Sequence, residues 1–222
     1  IKDININKWV LYEIAKFCDE MVSDYYGGME PRYTINTYIT QQEDALVLLR
    51  NLASIFRGMV MWMDNKITAT FDHPSDPVCA FSNANVIDGS FTYTGSSKET
   101  RYNTVNVAWN DPTQEFKVAI EAVEDTNDIA TRGEIIGTNL TALGCTSRGQ
   151  ARRQGKAFLK TERETVVFEA SLDNVGAAPG NIVEVYDKYR SNIKYSGRIL
   201  TIDNSYSGGK VFLDGTGIDL LD

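Results

Sequence analysis

A nucleophile needs a base within hydrogen-bond reach, and the chain offers one histidine for that task. His73 stands in Phe71-Asp72-His73-Pro74, and the best-placed thiol, Cys145, stands in Gly144-Cys145-Thr146-Ser147 just ahead of an expected helix. The positive end of a helix dipole lowers the pKa of a neighbouring thiol, so a Cys145–His73 dyad would be reactive if the fold joined the two. Nothing in the spacing joins them, and the plain reading is a turn histidine and a cysteine before a helix. Paired carboxylates hydrolyse glycosidic bonds when one is buried with a raised pKa. The candidates are Glu13, Asp19 and Glu20 in one segment and Glu121, Glu124 and Asp125 in another. Glu13 and Glu20 lie one heptad apart, the pattern of a solvated helix face, and Glu124-Asp125 forms a turn-like acidic patch. Both groups are expected on solvated surface.

Other chemistries find less support. Gly215-Thr216-Gly217 lacks the third glycine and the following helix of a phosphate loop, and reads as a turn. One histidine and three widely spaced cysteines, Cys18, Cys79 and Cys145, supply neither tetrahedral zinc spacing nor a disulfide framework. Reduced, half-buried cysteines in a cytoplasmically folded protein are expected. Asn139-Leu140-Thr141 matches the glycosylation pattern, but no leader opens the chain to make use of it. No catalytic, cofactor-binding or metal site is expected, and no cofactor.

Charge argues in the same direction. Twenty-two basic against 30 acidic residues leave a net charge of −8 over 222 residues. A field of that sign opposes nucleic acid or anionic lipid as the main partner. One local exception is a stripe of Arg148, Arg152, Arg153, Lys156, Lys160 and Arg163 at helical spacing. It could follow phosphates, but without aromatic residues on its face it is expected to be solvated or to meet acidic residues of a neighbouring subunit. The composition, 42% hydrophobic and 23% charged, is that of a globular protein. The longest apolar runs, Ala45–Leu49 and Met59–Met63, fall far short of a membrane span. The chain opens at Ile1 and stops at Asp222 inside a strand-like stretch, which reads as a piece cut from a longer protein.

The elements that must position these residues are three helices and many strands. The first helix follows Asn7, carries Val10, Ile14, Phe17, Cys18 and Met21 on one face, and ends at Gly27-Gly28. The second has a Thr40/Glu43 capping box, an apolar stripe of Ala45, Leu48, Leu49, Leu52 and Phe56, and Gly58 as terminal glycine. The third, 147–163, opens with a Ser147/Gln150 capping box and carries Ala151, Gly155, Phe158 and Leu159 on one side. Strands are expected at 32–39, 59–63, 66–71, 86–94, 104–109, 115–122, 165–172, 182–186, 198–202 and 210–213, with Asp64-Asn65 turning a hairpin. The fold class is therefore α+β, with short, mostly antiparallel strands in small barrel-like or sandwich sheets. The proline-rich corner His73–Pro77 marks a boundary between a 1–76 subdomain of helix, strand, helix and hairpin and a β-rich 77–222 subdomain.

Six segments occur in an order that resembles a known family: Glu13–Val22, Gly27–Thr34, Phe56–Met59, Phe81–Gly95, Trp109–Pro112 and Gly144–Ala151. Together they resemble the hub portion of the central tail-tip, or host-specificity (J-like), proteins of lambda-like siphophages. The third helix, strand 165–172 and the turn Pro179-Gly180-Asn181 are also similar to baseplate hub proteins of contractile tails, with Asn181 where aspartate is usual. The resemblance implies a tail hub-like fold and a non-catalytic virion protein, phage- or prophage-encoded and assembled in the bacterial cytoplasm. It implies a homotrimeric ring that closes the tail tube, contacts neighbouring tail proteins and lets DNA pass without specific binding. A carbohydrate-binding or cell-wall-hydrolysing domain of a phage particle is the alternative, favoured by an aromatic cleft beside paired carboxylates.

Overall fold

The computed structural model describes residues 6–40, 42–63, 66–94, 101–161, 165–170, 177–190, 194–205 and 208–214. In chain order the elements are α1 (Lys8–Asp19), β1 (Met21–Ser23), β2 (Met29–Pro31), α2 (Ala45–Ile55), β3 (Gly58–Met63), β4 (Lys66–Phe71), β5 (Cys79–Ser82), β6 (Thr92–Thr94), β7 (Thr104–Asp111) and β8 (Lys117–Glu124). They continue with α3 (Thr126–Arg132), β9 (Gly137–Thr141), α4 (Arg148–Thr161), β10 (Thr165–Ala170), β11 (Ile182–Tyr186), β12 (Lys194–Ser205) and β13 (Gly208–Asp214). The fold is α+β, with small open sheets. Two compact units interleave in sequence: Ile1–Asp72 with Tyr102–Leu159, and His73–Arg101 with Lys160–Asp222. This grouping differs from a linear split at 76/77, because each unit recruits strands far apart in the chain.

In the first unit, the sheet β8-β7-β9 places Val105, Val107, Trp109 and Val123 beneath α4. Strict alternation of buried and half-buried residues along β7 makes one face of the sheet the core face. Gly155 lets α4 lie close, since a Cβ there would come within 2.9 Å of Val107 and 2.8 Å of Val123. The hairpin β3–β4 pairs Gly58 with Phe71 through to Met63 with Lys66, while its Asp64-Asn65 turn lies outside the described residues.

The second unit is one sheet, β5-β11-β12-β13-β10-β6, antiparallel except for the β5–β11 pair. Phe81, Val166, Phe168, Val183, Val185 and Ile199 form its core. The Pro179-Gly180 turn works as expected: Gly180 takes φ +91°, and Asn181 Oδ1 accepts from Ala178 N at 2.8 Å.

Several expectations need correction. The first helix stops at Asp19, not at Gly27-Gly28, and residues 21–31 form the hairpin β1–β2 instead. Asp24 nucleates that turn by accepting from Tyr26 N and Gly28 N, both at 2.8 Å, a local bond that outcompetes continuation of the helix. The second helix is capped by Asp44, whose carboxylate accepts from Leu46 N and Val47 N, so the Thr40/Glu43 box does not form. Its C-terminal left-handed residue is Arg57 (φ +58°), and Gly58 begins a strand. Residues 32–39 form no strand and join no sheet. Helix α3 and strands β5 and β9 appear where no element was expected. The expected strand 165–172 is seen as Thr165–Ala170, and positions 171–172, Arg163 and 215–222 lie outside the described residues.

Candidate functional site

Chemistry-bearing side chains concentrate in two places, one in each unit. In the first unit, Glu121 sits on β8 at the edge of the core, with 2% of its surface exposed. Its carboxylate accepts from Arg148 Nε at 2.7 Å, from an Arg152 Nη at 3.0 Å and from the Tyr26 hydroxyl at 2.8 Å. Burial opposes its ionisation, but the bonds from Arg148, Tyr26 and Arg152 outweigh that and hold its pKa below the ordinary glutamate value. Glu121 is therefore not the solvated carboxylate that was expected, and its pKa is moved in the direction opposite to the one a general acid needs.

The basic stripe of α4 also departs from expectation. It meets acidic and aromatic groups of its own unit. Arg153 pairs with Glu30 at 2.8 Å and donates to the carbonyl of Arg32 at 2.9 Å. Arg148 lies 4.3 Å over the Tyr26 ring and Lys156 lies 4.2 Å over Tyr25. The hairpin β1–β2 supplies both tyrosines, so its turn covers this helix face with rings and carboxylates. Gly149 permits the contact: a Cβ there would meet Asp24 O at 2.8 Å and Asp24 Cα at 2.9 Å. Arg163 falls outside the described residues.

Glu121 gives a pH prediction. A carboxyl whose folded pKa lies below its unfolded value stabilises above the unfolded pKa, near 4.3, and loses that contribution as pH falls through the folded value. Glu121→Gln is therefore expected to be less stable than the parent chain at pH 7, with the gap closing towards pH 3. Urea unfolding at both pH values measures it; an unchanged gap contradicts the assignment.

The helix N-terminus does not activate Cys145. The thiol is fully buried, donates to Ser147 O at 3.1 Å, and has its pKa pushed up chiefly by burial. His73, which the spacing did not join to it, belongs to the second unit. Only half of the Ser147/Gln150 capping box forms. Ser147 Oγ accepts from Gln150 N at 3.2 Å and pairs with Glu30, whereas the Gln150 side chain turns to Thr34. Of the remaining carboxylates, Glu20 pairs with Arg32 at 2.6 Å, and Asp125 caps α3 by accepting from Asp128 N at 3.1 Å. Glu13, Asp19 and Glu124 are exposed.

In the second unit a cleft of about 490 Å³ is lined by Asn83, Asp88, Ser90, Phe91, Asp187 and Tyr189, among others. Two carboxylates beside two rings meet part of the description of a saccharide hydrolase. Asp187, however, is consumed by the loop. It accepts from the Tyr93 hydroxyl at 2.9 Å, Asn83 Nδ2 at 3.2 Å and Tyr189 N at 3.0 Å. Burial raises its pKa, but those bonds and Arg190 prevail and hold it below the ordinary aspartate value, while Tyr93 is pushed up to about 12, first by burial and then by Asp187. Neither state suits a proton donor at neutral pH. Asn83 also donates to Gly89 O at 2.8 Å and accepts from Lys188 N at 2.9 Å, which fixes the loop. Among the described residues no group of three or more His, Cys, Asp or Glu could hold a metal ion, and no helix is long and apolar enough to cross a membrane.

Three comparisons bear on this arrangement. The tip attachment protein J of Escherichia phage SECphi27 is 37% identical over 215 residues, 95% of this chain and 18% of that protein. That of Escherichia phage SECphi4 is 36% identical over 84% of this chain and 17% of its own length. This chain thus spans under a fifth of the curated relatives it matches. Among solved structures, a tail protein from Neisseria meningitidis MC58 superposes with a TM-score of 0.58 at 15% identity, over 82% of this chain and 58% of its own, a likeness of fold alone. The phage tail family described as "Putative phage tail protein" matches residues 44–202. That match spans most of the chain and agrees with the motif resemblance: the chain belongs to the phage tail protein family.

Proposed function

We propose that this chain is a hub module of a phage or prophage tail tip, non-catalytic, which closes the tail tube and connects it to the distal receptor-binding fibre. The observation that carries this reading is the identity to tip attachment proteins J along 95% of the chain. The working form is a homotrimeric ring in contact with neighbouring tail proteins, located in the virion tail after assembly in the host cytoplasm. The chemistry of the clusters supports it. Glu121, Asp187 and Cys145 all serve the fold: the carboxylates are ionised and bonded, and the thiol is buried. Arg148, Arg152 and Arg153 are paired within the unit and so are poor ligands for DNA that must slide past.

The second reading, a carbohydrate-binding or cell-wall-hydrolysing domain, draws on the cleft at Asp88 and Asp187. Incubation of the purified chain with peptidoglycan, esters and peptides separates the two, and no turnover is expected. Turnover abolished by Asp88→Asn would establish the second reading and defeat the first. Antibodies to this chain should label intact particles at the tail end distal to the capsid; label at any other place on the particle overturns the hub assignment.

A further inference from the structure

The cleft of the second unit is lined by two sets of side chains, and only one of them serves the fold. Asn83 and Asp187 hold each other and the loop, and Phe91 closes a wall by packing edge-on to Phe168, with ring centroids 5.2 Å apart. Asp88, Ser90 and Tyr189 line the same cleft and are exposed. Asp88 and Ser90 make no side-chain hydrogen bond among the described residues. The Tyr189 ring is 78% exposed, which buries too little to matter to the core, yet its backbone N–H is fixed to the buried carboxylate of Asp187. The turn that carries Asp88 is fixed as well. Asp88 and Gly89 both take φ of +57°, and Gly89 N donates to Val86 O at 3.0 Å. A Cβ on residue 89 would come within 2.9 Å of Asn83 O, so the turn needs glycine there. Walls fixed in advance reduce the ordering cost of taking a ligand.

The cleft's volume of about 490 Å³ lies within the roughly 300–1,000 Å³ of small-molecule sites. Its charges cancel. Asp88 and Asp187 are balanced by Lys188 in the cleft and by Arg190, which lies 4.2 Å over the ring of Tyr93, the residue that bonds Asp187. The cleft therefore selects no net charge on its ligand. What it offers is aromatic surface, a carboxylate acceptor and a hydroxyl, all without partners in the fold. A neutral saccharide matches that set, because its C–H faces pack on rings and its hydroxyls both donate and accept. We propose that this cleft binds a short neutral saccharide, with Tyr189 stacking on a sugar ring, Asp88 accepting from its hydroxyls and Ser90 donating to them. No bond is made or broken there, so the site is a ligand site carried by a hub module and not a hydrolase. It goes beyond the tail reading and does not rest on it.

Nuclear magnetic resonance titration of the chain with maltotriose and with chitotriose, the trimer of N-acetylglucosamine, tests it. At least one of the two should shift the amide signals of residues 83–91 and 187–189 saturably, with a Kd of about 1 mM or below. A preference for chitotriose assigns an amino-sugar polymer as the source of the ligand, and a preference for maltotriose a plain hexose polymer. Tyr189→Ala and Asp88→Ala should each weaken binding by on the order of tenfold. Trp9→Ala, which removes an 81% exposed ring from the first unit, should leave it unchanged. Parent-like amide spectra away from the cleft confirm that the variants fold; should either cleft variant not, Tyr189→Ser and Ser90→Ala replace them. Mass spectrometry of the same samples should find both sugars intact. No saturable shift with either sugar, shifts confined to other residues, cleft variants that bind like the parent, or cleaved sugar each overturns the proposal. None of these outcomes bears on whether the chain sits in a tail tip, which particle labelling decides.

Discussion

Phe81→Ala is expected to destabilise the second unit by about 3–5 kcal/mol, the range for emptying a buried phenylalanine site. Phe81 is 1% exposed, its ring centroid lies 4.7 Å from that of Phe168, and Val183, Val185 and Ile199 belong to the same cluster. Residues on sheet strands line the cavity, so they cannot collapse into it without breaking the β5–β11 register of Phe81 with Val185. The three tryptophans, Trp9, Trp62 and Trp109, all belong to the first unit, so their fluorescence does not report this loss. Hydrogen exchange at Ile182–Tyr186 does. A rise in exchange there smaller than tenfold would mean that Phe81 does not anchor the sheet.

Gln150→Ala should have the largest effect in the first unit, about 2–4 kcal/mol. The side chain is fully buried. Its oxygen accepts from Thr34 N at 2.9 Å and from the Thr34 hydroxyl at 3.1 Å, and its amide donates to Thr34 O at 3.0 Å. Residues 32–39 have no sheet partner, so Gln150 substitutes for one, and alanine strands a backbone donor and an acceptor together. Thermal unfolding followed by tryptophan fluorescence measures the loss, and a change below about 0.5 kcal/mol, the size of an ordinary surface substitution, contradicts it.

Such contacts show where the sequence was legible and where it was not. Strands with clean alternation were legible: Ile182–Tyr186 falls where expected, and β7 and β8 shift by two residues at one end or both. The stripe of α2 was legible too, but its cap was not, because Asp44 competes with Thr40 for the role and periodicity does not choose between them. The β1–β2 hairpin was missed because an apolar residue at Met21 continues the pattern of α1, while the Asx turn at Asp24 ends it. Residues 32–39 alternate like a strand yet pair with a side chain, a long-range choice that no local pattern encodes. Glu121 was misread for the same reason. Its neighbours Glu124 and Asp125 read as polar turn residues in the sequence, and only the fold brings Tyr26, Arg148 and Arg152 to it.

Several motifs that carried the family resemblance are tied by contacts within their own unit, which explains why they were more informative than the search for catalytic residues. Gly27–Thr34 and Gly144–Ala151 interlock through Glu30 with Ser147 and Thr34 with Gln150. Within Phe81–Gly95, Asn83 ties the loop to Gly89 and Asp187. These are architectural contacts, so segments so constrained identify a scaffold before they identify a reaction. The expected absence of turnover and the expected label at the tail end follow from the same premise.

An electron cryomicroscopy reconstruction of the intact tip tests most directly whether this chain forms a ring there. Three copies of this chain are expected about the tail axis, in contact with one another and continuous with the distal fibre. Six copies, a single off-axis copy, or a position away from the tip would contradict it.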